Sequence, residues 1–69
     1  MKRDYSNLIR VKLLREMKTG EFSECDKLPR ELELAKQFGV SRTHLREVLA
    51  QLEREGFITR MHGVGTIIN

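Results

Sequence analysis

The sequence predicts a mainly α fold closed by a small β-hairpin, and two observations carry that expectation. Apolar residues recur at helical spacing in three separate segments: Ile9, Leu13 and Met17; Leu34, Ala35 and Phe38; and Leu45, Val48, Leu49 and Leu52. The C-terminal stretch FITRMHGVGTIIN then changes character, setting β-forming Ile and Thr around a glycine-containing reversal. With 69 residues the chain is a single domain, 1–69, with a small core.

The first helix is expected over residues 4–19, with Asp4 or Ser6 as its cap and Gly20 as its stop. Leu8 and Leu14 widen the Ile9, Leu13 and Met17 stripe to the width of a core-facing surface. Lys2, Arg3, Arg10, Lys12 and Arg15 have two readings, a solvated face with a tail or an N-terminal arm that meets phosphate. From Gly20 to Asp26 the chain is polar and irregular, with Phe22 as its anchor into the core. Cys25 lies in this loop as a small residue, with nothing nearby to make it reactive.

Lys27-Leu28 is expected to form a very short strand before Pro29, which is compatible with the first position of a second helix because its missing N–H would have had no partner there. That helix runs to about Phe38, and Glu31 and Glu33 in its first turn suit the positive end of the helix dipole.

Glu31 to Ala50, ELELAKQFGVSRTHLREVLA, is the stretch around which the chain is organised. Ala35 is small where two helices approach, Gly39 stands where the chain must leave the first of them, and Leu45 is the first apolar anchor of the next. Val40 plugs the turn, and Ser41 is a good N-cap for a third helix over residues 42–55. At about 100° per residue Leu45, Val48, Leu49 and Leu52 share one face, while Arg42, Thr43 and Arg46 lie on the other. Arg42 and Arg46 are one turn apart and point the same way. Two guanidiniums beside a hydroxyl at this helix end suit base edges and phosphates, whereas ordinary surface arginines would pair with Glu47, Glu53 or solvent.

Gly56 ends the third helix; Phe57 to Met61 is then expected as a strand, His62 to Gly65 as a tip and Thr66 to Ile68 as the return. Gly63-Val64-Gly65 is not a dinucleotide-binding loop, since that fingerprint needs a third glycine and a following helix. Three helices plus a two- or three-stranded antiparallel sheet in this order make a winged helix-turn-helix, mainly α with a small β-hairpin wing. Its second motif helix enters a DNA major groove and its wing flanks a minor groove or the backbone.

The segment LPRELELAKQFGVSRTHLREVLAQLEREGFITRMHGVGT closely resembles the N-terminal DNA-binding domain of the GntR family of bacterial transcription regulators. The family pattern is Leu-Pro-Ser-Glu-Arg-Glu-Leu-Ala, then Gly-Val-Ser-Arg, then Gly-x-Gly-Thr in the wing. The resemblance implies that Arg42, Thr43 and Arg46 contact operator bases or phosphates, that His62 and Gly63 sit at the wing tip, and that Thr66 is the wing threonine. Ser41 and His44 fall in the same motif, although on the helical wheel His44 points away from the two arginines.

Departures from the pattern matter as much. Arg30 replaces the usual serine, losing a cap worth about 1 kcal/mol but adding a charge that can reach phosphate. Leu32 stands where the family usually has a DNA-contacting arginine, so specificity is expected to fall on Arg42 and Arg46.

The resemblance also implies a sequence-specific regulator, with repression the expected sign, acting on double-stranded operator DNA as a homodimer in a full-length context. The family's larger C-terminal domain binds a small-molecule effector and dimerises. The chain stops at Asn69, so an excised domain, monomeric by itself, or a stand-alone binder is expected.

Composition narrows the alternatives. A formal charge of +3 and a pI near 9.4 are compatible with nucleic acid without demanding it. The lone Cys25 offers no internal disulfide and fits a reducing cytoplasm. No apolar run reaches the roughly 18 residues of a membrane span, and MKRDYSNLIR has no signal-peptide apolar region. Cys25, His44 and His62 lack metal-ligand spacing, so no metal, cofactor or enzymatic activity is expected. The competing class is a winged-helix protein–protein module, for which apolar Leu32 and Val64 are the supporting features.

Overall fold

The computed structural model describes residues 5–69, with side chains from Asn7 onward. The elements are α1 (Tyr5–Lys18), α2 (Glu31–Phe38), α3 (Arg42–Arg54), β1 (Ile58–Met61) and β2 (Gly65–Ile68). This is the expected order of three helices and a hairpin. Asp4, Lys2 and Arg3 lie outside the described residues, and Ser6 is already within the helix, where it cannot be the N-cap.

One apolar core joins the helices to the hairpin. Ile9, Leu13 and Met17 of α1, Phe22 of the loop, Leu34 and Ala35 of α2, Leu45, Val48, Leu49 and Leu52 of α3, and Ile58 of β1 are all buried in it. Each large side chain taken from water in this way contributes about 1.5–3 kcal/mol. Leu14 and Phe38 are only partly buried, and Leu8 is 58% exposed, so the α1 stripe is narrower than its leucines suggested. Arg10 is part-buried and engaged within the fold. Its guanidinium grips Glu55 Oε1 through Nε at 3.0 Å and Nη2 at 2.6 Å, fastening α1 to the end of α3. Lys12 lies over the Phe38 ring, 5.4 Å from its centroid, within cation–π range.

Gly20 follows α1 as expected, but for a different reason. It is not among the glycines with positive φ. A Cβ there would instead run into Glu16, whose Cα would be 2.9 Å away. The chain therefore folds back tightly on the helix end, where Glu16 Oε1 accepts the Glu21 N–H at 2.7 Å.

Pro29 stands before the N-cap of α2, not at its first position; the N-cap is Arg30, which offers no side-chain cap. Gly39 ends α2 at φ 69° and ψ 35°, left-handed as its place in the turn required. Ser41 opens α3 as expected, its Oγ accepting the His44 N–H at 3.1 Å.

The hairpin is antiparallel, with Ile58 opposite Ile68 and Met61 opposite Gly65. Phe57 falls just outside β1, and Gly65 belongs to β2 instead of the tip. Lys27 adds a single bridge to Ile67, so the predicted short strand is a one-residue third member of the sheet. Around it the Leu28 N–H donates to Thr66 O at 2.9 Å and the Ile68 N–H to Asp26 O at 2.8 Å. These bonds tie the chain entering α2 to β2, on the side away from β1, which fixes the start of α2 beside the hairpin. Thr66 is buried in this joint.

Candidate nucleic-acid interface

Three parts of the chain converge on one groove: the start of α2, the first turn and a half of α3, and the wing. Arg30, Arg42, Arg46, His62 and Gly63, all singled out from sequence, line it together. Thr43 lines an adjoining recess with Arg46, Glu47, Ala50 and Arg60. Ser41 and His44 line neither. His44 is half-buried, in keeping with its opposite position on the helical wheel.

The groove holds five cationic side chains, Lys27, Arg30, Arg42, Arg46 and Arg60, against two carboxylates, Glu31 and Glu33. The modest excess of the whole chain is thus gathered on one surface. Arg42 and Arg46 are 57% and 61% exposed, and both face Glu31 Oε1, from Nη2 and Nε respectively, at 3.6 Å. The competing surface reading would have paired them with Glu47, Glu53 or solvent; the carboxylate that faces them comes instead from the neighbouring helix. At that distance and exposure each pairing is weak, contributing about 1 kcal/mol or less, and leaves the donors available to a ligand. Glu31 holds the two guanidiniums side by side without sequestering them.

Arg60 was not evident as a site residue. It follows Ile58 by two positions along β1, so strand alternation places both on the side facing α3. Its backbone N–H donates to Glu53 Oε2 and its Nε to Glu53 Oε1, each at 3.0 Å. The backbone hydrogen bond, followed by the side-chain one and the guanidinium charge, holds the Glu53 carboxyl below its ordinary value. The pair fixes the wing against α3 and sets the angle between them.

At the tip, His62, Gly63 and Val64 are exposed. Gly63 turns at φ 79°, and the Val64 N–H closes the turn onto Met61 O at 3.0 Å. Among the described residues no group of three or more His, Cys, Asp or Glu side chains forms a metal site, and no helix is long and apolar enough to cross a membrane.

A helix-turn-helix whose second helix presents two arginines beside a cationic hairpin defines a winged helix-turn-helix DNA-binding domain. The model of the gntR family of bacterial regulatory proteins matches residues 6–68, and the chain belongs to that family. It is 42% identical over 57 residues to a fatty acid metabolism regulator protein of Pasteurella multocida, covering 83% of this chain and 24% of that protein. To the protein of the same name in Vibrio cholerae it is 48% identical over 50 residues, covering 72% of this chain and 18% of the relative. The chain thus matches about a quarter or less of the length of these relatives.

Among solved structures, the AraR DNA-binding domain in complex with operator ORE1 superposes with a TM-score of 0.85 at 26% identity, covering all of this chain and 84% of that one. The same domain on operator ORR3 gives 0.84 at 26% identity, with 100% and 83% covered. Lar of Listeria monocytogenes gives 0.81 at 29% identity over 100% of this chain and 32% of that chain.

Proposed function

We propose that this chain binds double-stranded operator DNA sequence-specifically by inserting the start of α3 into the major groove, with the wing lying along the backbone or the adjacent minor groove. The observation that carries the reading is the cationic groove in which Arg42 and Arg46, one turn apart and more than half exposed, flank a wing tip. Each guanidinium is suited to a bidentate contact with guanine O6 and N7 or with phosphate. Thr43 supplies a hydroxyl to the base edge or backbone beside Arg46. Arg30, His62 and Gly63 add contacts at the rim, and Ser41 and His44 serve mainly the start of α3 itself.

The AraR DNA-binding domain was solved on two operators, and its close superposition on this chain supports the same docking here. In this reading two copies occupy a palindromic site, one per half-site. The protein works in the cytoplasm and carries no catalytic activity of its own.

The protein–protein alternative requires an apolar patch on α3 or on the wing. Among the described residues the exposed large hydrophobics are Leu8, Val11, Leu32, Met61 and Val64, none of them on α3. Met61 and Val64 of the wing line the groove that also holds Lys27 and four arginines, a setting that favours a polyanion over an apolar protein surface.

Selection of bound duplexes from a random pool, followed by titration of Arg42→Ala and Arg46→Ala, tests the proposal. Each substitution is expected to weaken binding by about 1–3 kcal/mol and to relax preference at one operator position. Unchanged isotherms for both variants would remove α3 as the reading helix.

A further inference from the structure

We propose that Leu32 reads the methyl group of a thymine in the major groove, which makes the first turn of α2 a second source of sequence specificity. The inference rests on the DNA-binding reading of the groove and adds a base contact to it.

A single exposed leucine is ordinary on a protein surface. Here, however, three of the five exposed large hydrophobics, Leu32, Met61 and Val64, line the same groove as Arg42 and Arg46. Leu32 is 53% exposed in the first turn of α2. It directly follows Glu31, the carboxylate that stands 3.6 Å from both arginines, so its side chain is carried by the same helix end that borders them. Leu32 and the two guanidiniums line one groove, so a ligand filling that groove meets all three.

Its chemistry selects the partner. A leucine side chain neither donates nor accepts a hydrogen bond, so at a phosphate it would displace water and return nothing. The base edges of the major groove present one apolar group, the C5-methyl of thymine. The five cations around it favour a polyanion over an apolar protein surface, so the methyl group of a DNA base is the apolar partner that satisfies both the leucine and its setting.

The test uses duplexes that the chain itself enriches from a random pool, with each thymine replaced in turn by deoxyuridine, which removes only the methyl group. At one thymine per half-site the unaltered chain should bind the deoxyuridine duplex about fourfold more weakly, the worth of one buried methyl group. Leu32→Ala should lose a similar factor on the thymine duplex and be indifferent to deoxyuridine at that position. Leu32 is half-exposed and outside the buried core, so this variant should remain fully folded at the assay temperature by thermal unfolding, and its loss is one of binding. Indifference of the unaltered chain at every thymine would overturn the inference, as would a Leu32→Ala variant that keeps the parental sensitivity. If Arg42→Ala and Arg46→Ala still weaken binding to that duplex, the contact of Leu32 alone is lost. If the chain enriches no sequence at all, the DNA reading falls with it.

Discussion

Glu53 of α3 accepts two hydrogen bonds from Arg60 of β1, one from its backbone N–H and one from its Nε, both at 3.0 Å. The carboxylate therefore stabilises the fold only while ionised. Its folded value lies below the ordinary 4.5, chiefly because of the backbone bond. Such a group contributes stability above its unfolded value and loses it as pH falls through the lower, folded value. Glu53→Gln should accordingly be less stable than the parent near neutral pH, and the gap should close as pH falls below 4.5. Urea midpoints of both proteins followed into acid measure this, and a gap of constant size would show that the ionised pair does not anchor the wing.

Glu31 faces both Arg42 and Arg46 and would stand beside any phosphate they met. Neutralising it in Glu31→Gln should raise affinity for DNA of any sequence and steepen its dependence on salt, while narrowing the preference for the selected site. It should also cost about 0.3–1 kcal/mol of fold stability, because an acid is lost from the first turn of α2. Binding to a selected and a scrambled duplex across a salt series separates the effects; equal losses on both duplexes would make Glu31 a fold residue only.

Arg30 is an N-cap with no capping side chain at the edge of the cationic groove. Arg30→Ser should stabilise the fold by about 1 kcal/mol by giving a free N–H of α2 an acceptor. If Arg30 also meets a phosphate, the same change should lower the slope of log affinity against log salt by about 1. Chemical denaturation and a salt titration on one sample of each protein decide both points. A more stable protein with an unchanged slope would confine Arg30 to the fold.

The elements that sequence revealed best are those set by local periodicity or backbone geometry. Leu45, Val48, Leu49 and Leu52 are spaced for one face of a helix, and all four are buried. Gly39 had to be left-handed to turn between α2 and α3, and it is. The readings that shifted depended on packing at a distance. Leu8 has the right spacing for the α1 stripe, but the core ends before it. Gly20 was correctly placed at the end of α1, yet its cause is the close approach of Glu16 and not its dihedral angle. Glu31 meets Arg42 and Arg46 across a helix junction, and Glu53 meets Arg60 across a turn; neither pairing has a fixed sequence spacing that could announce it. The arginines and the wing tip were legible because both lie on elements with strong local signals, whereas Arg60 became visible only once β1 was seen to face α3.

The wing tip offers the last test, because His62 is exposed where Gly63 turns the chain and makes no part of the core. His62→Ala should leave the unfolding temperature within about 4 °C of the parent's, as expected of a surface change within ±0.5 kcal/mol in a domain of this size. If the tip rests against the duplex, the variant should bind several-fold more weakly, because the imidazole lost is a donor to phosphate or to a minor-groove base edge. Titrating parent and variant against the same duplex across a salt series measures it. Equal affinities and equal salt slopes would make the wing a brace for α3 and leave any contact with DNA to the groove behind it.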